Sequence, residues 1–220
     1  MSYHEEQETL DNLKTWWVRW GNTLIGLLLV VLLAGAGWSG WNYWQGQQTA
    51  QAARLYEQLQ HVAQPSTQTL DKERLARILD DMKKQFGRTP YAQMSSLMAA
   101  KAFYQAEDSE AAKTQLQWVI KHARDAEYQQ IARLRLASIL LGEKAYEQGL
   151  NLLAETPKDT FKALYADRRG DLFAAQGKRD DARQAYQEAL QLLIADNLNN
   201  SPIHRLVQLK LDALGGSANQ

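Results

Sequence analysis

The chain has 220 residues, with 25 Lys and Arg against 25 Asp and Glu and a formal net charge of zero. That balance excludes the concentrated basic excess a phosphate-binding surface needs, so no nucleic-acid partner is expected. Cysteine is absent, which excludes disulfides, thiolate metal sites and a cysteine nucleophile, and the length without its one apolar segment suits a single soluble domain.

Residues 1–15 carry Glu5, Glu6, Glu8 and Asp11 and no sustained apolar face. They predict a mobile acidic tail, with a short amphipathic helix around Leu10 and Leu13 as the alternative. Residues 16–44 are different in kind: from Leu24 to Trp38 no side chain is polar apart from the indole of Trp38. About 20 apolar residues at ~1.5 Å rise cross a ~30 Å hydrocarbon core. Trp16, Trp17 and Trp20 on one side and Trp38, Trp41, Tyr43 and Trp44 on the other form the aromatic belts expected at two membrane–water interfaces. Ala34-Gly35-Ala36 also resembles a signal-peptide cleavage site. A permanent anchor is the expectation, because the leading segment is acidic where a signal is basic and the second belt lies beyond the cut. A buried core helix is the remaining alternative, and nothing downstream is apolar enough to wrap it.

Lys14 and Arg19 flank the span on the amino side, and no Lys or Arg follows it until Arg54. Basic residues in short flanks stay cytoplasmic, which predicts the amino end inside and the large carboxyl region outside, in the periplasm if the membrane is a bacterial inner membrane. Within the span, Gly35 with Ser39 and Ala36 with Gly40 are small-xxx-small pairs that permit close approach of a second membrane helix. Residues 45–51 read as a short hydrophilic linker.

Residues 52–214 have helical periodicity throughout, and residues 215–220 read as a flexible end. Ala52, Leu55, Tyr56, Leu59, Val62 and Ala63 share one face, ended by Pro65; Leu75, Ile78, Leu79, Met82 and Phe86 share another, ended by Gly87. Pro90 opens a helix with Ala92, Ser96, Ala99, Ala100 and Phe103, and a fourth carries Ala112, Leu116, Val119 and Ile120. Further helices are predicted over Tyr128 to Leu141, Glu143 to Ala154, Lys158 to Gln176, Asp180 to Ala195 and Pro202 to Leu214. Each apolar stripe is too narrow to be stable alone, so the short breaks imply packed antiparallel hairpins and an all-α fold.

The hairpins repeat. Ala137, Leu140 and Gly149 lie 33 residues before Gly170, Phe173 and Ala182, and Ala100, Phe103 and Ala112 suggest an earlier copy. The period approaches the ~34-residue tetratricopeptide unit, in which small residues sit where helices cross. The clearest copy has Gly170, Phe173, Gly177, Ala182, Tyr186 and Ala189 at preferred positions, but Ala166, Arg169 and Ile194 depart from the pattern. A generic helical bundle is the competing architecture.

The acidic tail, the WWVRWGN stretch from Trp16 to Asn22, the single span and the repeat-like region together resemble the YfgM family of bacterial inner-membrane proteins. That resemblance covers the whole chain and implies an ancillary subunit of the SecYEG translocon. It further implies a periplasmic domain that works with chaperones such as PpiD on emerging envelope proteins.

No catalytic constellation accompanies this architecture. His4, His61, His122 and His204 are dispersed, and the sequence has no metal-binding HExxH, calcium loop, phosphate loop or GxSxG. Asp80-Asp81 and Asp180-Asp181 point in different directions as helix neighbours and read as solvated or capping residues. No enzyme activity and no cofactor are expected. In repeat arrays the first helix of each hairpin lines a groove, and alignment selects Met94, Leu97, Lys101 and Tyr104, then Ile131, Leu134, Ser138 and Leu141, then Leu164, Asp167, Asp171 and Ala174. The apolar members, Met94, Leu97, Tyr104, Ile131, Leu134, Leu141 and Leu164, are the candidate partner groove, although any of the leucines suits a core equally well. Leu97 with Lys101, Leu134 with Ser138 and Asp167 with Asp171 do not match the lysine and asparagine of a carboxylate-clamp repeat. The expected partners are the translocon, a PpiD-like chaperone, nascent secreted chains and the membrane. An adaptor of another envelope complex and a stress-signalling scaffold are the alternatives.

Overall fold

In the computed structural model, residues 3–64 and 70–215 are described, with side-chain placement in the first helix for residues 14, 16–23, 26–33, 35–39 and 46–63. The chain divides into two compact units, Met1–Gln51 and Ala52–Gln220. Helix α1 (Tyr3–Ala63) runs without interruption through the stretches read as a mobile tail and a linker. Glu, Gln and Leu are frequent in those stretches and are good helix formers, and no proline interrupts them. The segment Trp16–Ser39 is long and apolar enough to cross a membrane. Every side chain from Leu27 to Leu33 is more than half exposed, an all-round apolar surface that suits hydrocarbon rather than water.

In the second unit the end of α1 is followed by α2 (Lys72–Phe86), α3 (Pro90–Gln105), α4 (Ser109–His122) and α5 (Ala126–Gly142). Then come α6 (Tyr146–Leu152), α7 (Asp159–Ala175), α8 (Arg179–Ala195) and α9 (Pro202–Ala213). Among the described residues there is no strand. The helix starts follow from local chemistry: Asp71, Asp108, Asp125 and Ser201 accept hydrogen bonds from first-turn amides, and Pro90 and Pro202 occupy the first turn, where a missing N–H costs nothing. Pro65 lies outside the described residues.

The hairpins close in one repeated way. Glu107, Lys144 and Gly177 adopt left-handed φ values of 59°, 60° and 77°. The amides of Asp108, Ala145 and Lys178 then donate back to the carbonyls of Phe103, Leu140 and Phe173 at 2.9, 2.9 and 3.0 Å. This is the Schellman stop, and its recurrence marks equivalent points in α3/α4, α5/α6 and α7/α8. From 107 to 144 and from 144 to 177 the intervals are 37 and 33 residues, so only the second matches the ideal repeat. The middle hairpin is the irregular one, because α6 has just seven residues.

Small residues sit where the repeat requires close approach. A methyl group added at Gly170 would lie 2.4 Å from Tyr186 Cε1, and one at Gly149 would lie 2.8 Å from Leu172 Cδ2. Ala182 is fully buried among Ala163, Ala166, Tyr186 and Ala189. The largest core joins Leu59 and Ala63 of α1 to Leu75, Leu79, Leu97, Phe103, Leu116 and Leu136. The architecture is all-helical and tetratricopeptide-like, and the first helices of successive hairpins, α3, α5 and α7, touch one another in order.

Candidate partner groove

A cleft of about 390 Å³ opens between α3, α4 and α5. Its floor is Ala100, Leu116 and Ile139, all buried. Its walls are Lys101 and Tyr104 from α3 and Arg135 and Ser138 from α5. Tyr104 is 50% exposed, so its ring stands open to a ligand. Ser138 donates its hydroxyl to the Leu134 carbonyl at 2.9 Å and is thereby held in its own helix. Arg135 Nη1 donates to the Leu97 carbonyl at 3.1 Å, which anchors the guanidinium at the cleft wall. Arg135 is exposed overall, and partial burial lowers its pKa from the ordinary value. Among the described ion pairs, Lys101 and Arg135 take part in none.

The third hairpin has the opposite chemistry. Asp167 and Asp171, at groove positions of α7, are met by Lys210 of α9, whose Nζ lies 2.7 Å from Asp167 Oδ1 and 2.8 Å from Asp171 Oδ1. Arg168 Nη1 lies 3.1 Å from Asp171 Oδ2, and the Tyr186 hydroxyl donates to Asp171 Oδ1 at 2.8 Å. Burial pushes the Asp167 carboxyl up, with Lys210 opposing. Burial, and then the charge of Asp171, pushes the Tyr186 phenol up. The acidic end of the groove is therefore neutralised from within the chain.

The apolar positions selected by alignment separate in space. Tyr104 lines the cleft. Leu97 is 6% exposed and belongs to the core beneath it; Ile131 packs against the same core. Leu134 and Leu141 are half-buried against Ala137, Leu153, Tyr165 and Leu172. The short α6 leaves part of α5 for α7 to cover, which turns these two leucines toward the next hairpin. Met94 and Leu164 are half-buried. In the apolar segment Gly35, Ala36 and Ser39 are exposed, and a methyl group added at Gly35 would meet nothing within 4 Å; Gly40 lies outside the residues whose side-chain placement is described. Alignment did not select Arg135, Leu116 or Ile139, and Lys210 carried no local signal, since its partner Asp167 is 43 residues away. Among the described residues no three His, Asp or Glu side chains converge as a metal site.

An apolar span followed by stacked helical hairpins defines the class: the chain belongs to the tetratricopeptide repeat-like domain family, whose model matches residues 14–216. More particularly, it is similar to curated proteins named "Ancillary SecYEG translocon subunit". The Neisseria gonorrhoeae protein is 29% identical over 96% of this chain and 97% of its own length. The Haemophilus influenzae protein is 27% identical over 85% of this chain and 89% of its own length. The Escherichia coli protein is 24% identical over 58% of this chain and 59% of its own length. These matches bear out the resemblance to the YfgM family.

Proposed function

We propose that this protein is a single-pass inner-membrane subunit associated with the SecYEG translocon, whose helical domain binds polypeptide partners and does no chemistry of its own. The observation that carries the proposal is similarity to a translocon subunit across nearly the whole of both chains, span and repeats together. In this reading residues 1–15 are cytoplasmic, 16–44 cross the membrane, 45–51 emerge from it and 52–214 lie in the periplasm. Lys14 and Arg19 against an uncharged outer flank support that orientation. Gly35, Ala36, Ser39 and Gly40 are the proposed contact with a second membrane helix.

The span holds the groove beside emerging chains and raises its effective concentration for them and for a PpiD-like chaperone. Repeat grooves of this kind accept extended or helical segments. The proposed contact positions are Tyr104 and the half-buried Met94 and Leu164, whereas Leu97, Ile131, Leu134 and Leu141 pack into cores of the chain itself. Protease added to intact spheroplasts is expected to digest the region after Gln45, and SecYEG is expected to copurify with the full chain from mild detergent. A protected carboxyl region would reverse the orientation, and loss of copurification under conditions that keep SecYEG intact would remove the translocon assignment.

A further inference from the structure

About half of the described cations on the helical domain have an answering carboxylate. Lys210 and Arg168 meet Asp167 and Asp171, Lys113 meets Glu110 and Glu143, and Arg133 meets Glu155. Lys101 and Arg135 are among those that do not, and these two stand together on neighbouring helices around one apolar floor. One Arg135 Nη1 bond to the Leu97 carbonyl fixes the guanidinium and leaves its remaining N–H donors for a ligand. A guanidinium matches a carboxylate in shape as well as charge. The floor of Ala100, Leu116 and Ile139 offers no polar side chain, so the same ligand must present an apolar group. Tyr104, exposed at the wall, adds the kind of aromatic surface that dominates binding interfaces. Two unanswered positive charges disfavour a basic segment.

We propose that this cleft takes an acidic segment of a partner polypeptide, seating one large apolar side chain on the Ala100–Leu116–Ile139 floor and an adjacent carboxylate between Lys101 and Arg135. The assignment rests on the groove reading above and narrows it to one hairpin junction and one sequence chemistry. The acidic positions Asp167 and Asp171 are not part of the site, because Lys210 already occupies them.

The test uses the full chain in lipid nanodiscs and three fluorescent peptides: Leu-Phe flanked by glutamates, the same peptide with glutamines, and the glutamate peptide with alanines for Leu-Phe. The glutamate peptide is expected to bind about tenfold more tightly than the glutamine peptide at low salt, with the difference lost at roughly 0.5 M salt. The alanine peptide is expected to bind weakly. Lys101→Gln with Arg135→Gln should erase the glutamate preference and leave the glutamine peptide unchanged. Should Arg135→Gln disturb folding, Lys101→Gln alone must reduce the preference, since exposed Lys101 makes no described hydrogen bond or ion pair. Equal binding of the glutamate and glutamine peptides, or a preference that survives both substitutions, overturns the site while leaving an apolar groove in place. Failure of all three peptides to bind overturns the site and the groove reading together. Binding to phosphatidylglycerol vesicles through Lys101 and Arg135, with no peptide bound, overturns the site in favour of a lipid surface.

Discussion

Replacing Lys210 with methionine tests how α9 is fastened to α7. The substitution keeps the length of the side chain and removes the ammonium that lies 2.7 Å from Asp167 and 2.8 Å from Asp171. Breaking a buried pair by deleting one partner costs about 3–5 kcal/mol. Lys210 retains 24% side-chain exposure and Arg168 stays 3.1 Å from Asp171 Oδ2, so about 2–3 kcal/mol is expected here. The effect has a definite pH dependence. The Asp167 carboxyl is raised above the ordinary value of 3.8, chiefly by burial, while Lys210 opposes the rise. A raised carboxyl favours the folded state below its unfolded pKa, and that contribution is lost as pH climbs through the folded value. Removing Lys210 raises it further, so the penalty is largest near pH 7.5 and shrinks as pH falls toward about 4.5. Thermal unfolding followed by circular dichroism, variant against wild type at both pH values, reads the difference. A penalty below about 0.5 kcal/mol, or one equal at the two pH values, would refute the buried-pair argument.

Three further outcomes are expected from the same fold. Lys144→Gly should raise stability by about 0.5–1 kcal/mol, because Lys144 holds φ at 60° at a hairpin stop, and a fall in melting temperature would contradict the strain. Gly170→Ala should cost about 1–3 kcal/mol and Ala182→Trp at least as much, since the first drives a methyl into the Tyr186 ring and the second fills a closed helix crossing; unchanged chemical denaturation of either variant would place the residue elsewhere. Burial pushes Lys83 down to about 8, with Asp80 opposing. Its charge therefore costs stability below pH 8, and the cost fades as pH rises toward the unfolded value of 10.5. Lys83→Met should accordingly stabilise by about 1 kcal/mol at neutral pH and by less near pH 10, allowing for solvent access and lost contact with Gln115 and Trp118; a gain that grows with pH would show the sign to be wrong.

Much of the architecture was legible because helices advertise themselves locally. The stripe from Leu75 to Phe86, the prolines at 90 and 202 and Gly215 after α9 mark faces and ends through short-range geometry alone. Where structure departs from expectation, longer-range effects decide. The stretch 45–51 is polar but helix-forming, so hydropathy announces a boundary that the backbone does not make. Periodicity predicts a helix from Glu143 to Ala154, but α6 spans only Tyr146–Leu152, since Lys144 is spent on the hairpin stop and Leu153 on the cap. In the groove, register alone could place Lys101, Tyr104 and Ser138 near one another. It could not separate a leucine facing a partner from one facing the next helix, because both occupy the same helical phase, as Leu97 and Leu134 show. Nor could it see that Lys210 fills the acidic end, since that pairing joins residues 43 apart.

The most direct measurement is photocrosslinking in native membranes with a reactive side chain at Gly37 in the span or at Tyr104 on the cleft wall. Gly37 is exposed and a methyl group added there meets nothing within 4 Å, and Tyr104 is 50% exposed, so neither replacement disturbs a core. Capture of a SecYEG subunit from Gly37, together with a periplasmic chaperone or a secreted chain from Tyr104, is the predicted result. If Gly37 captures no translocon subunit and Tyr104 captures nothing that Lys101→Gln and Arg135→Gln weaken, a translocon-tethered binding groove is contradicted.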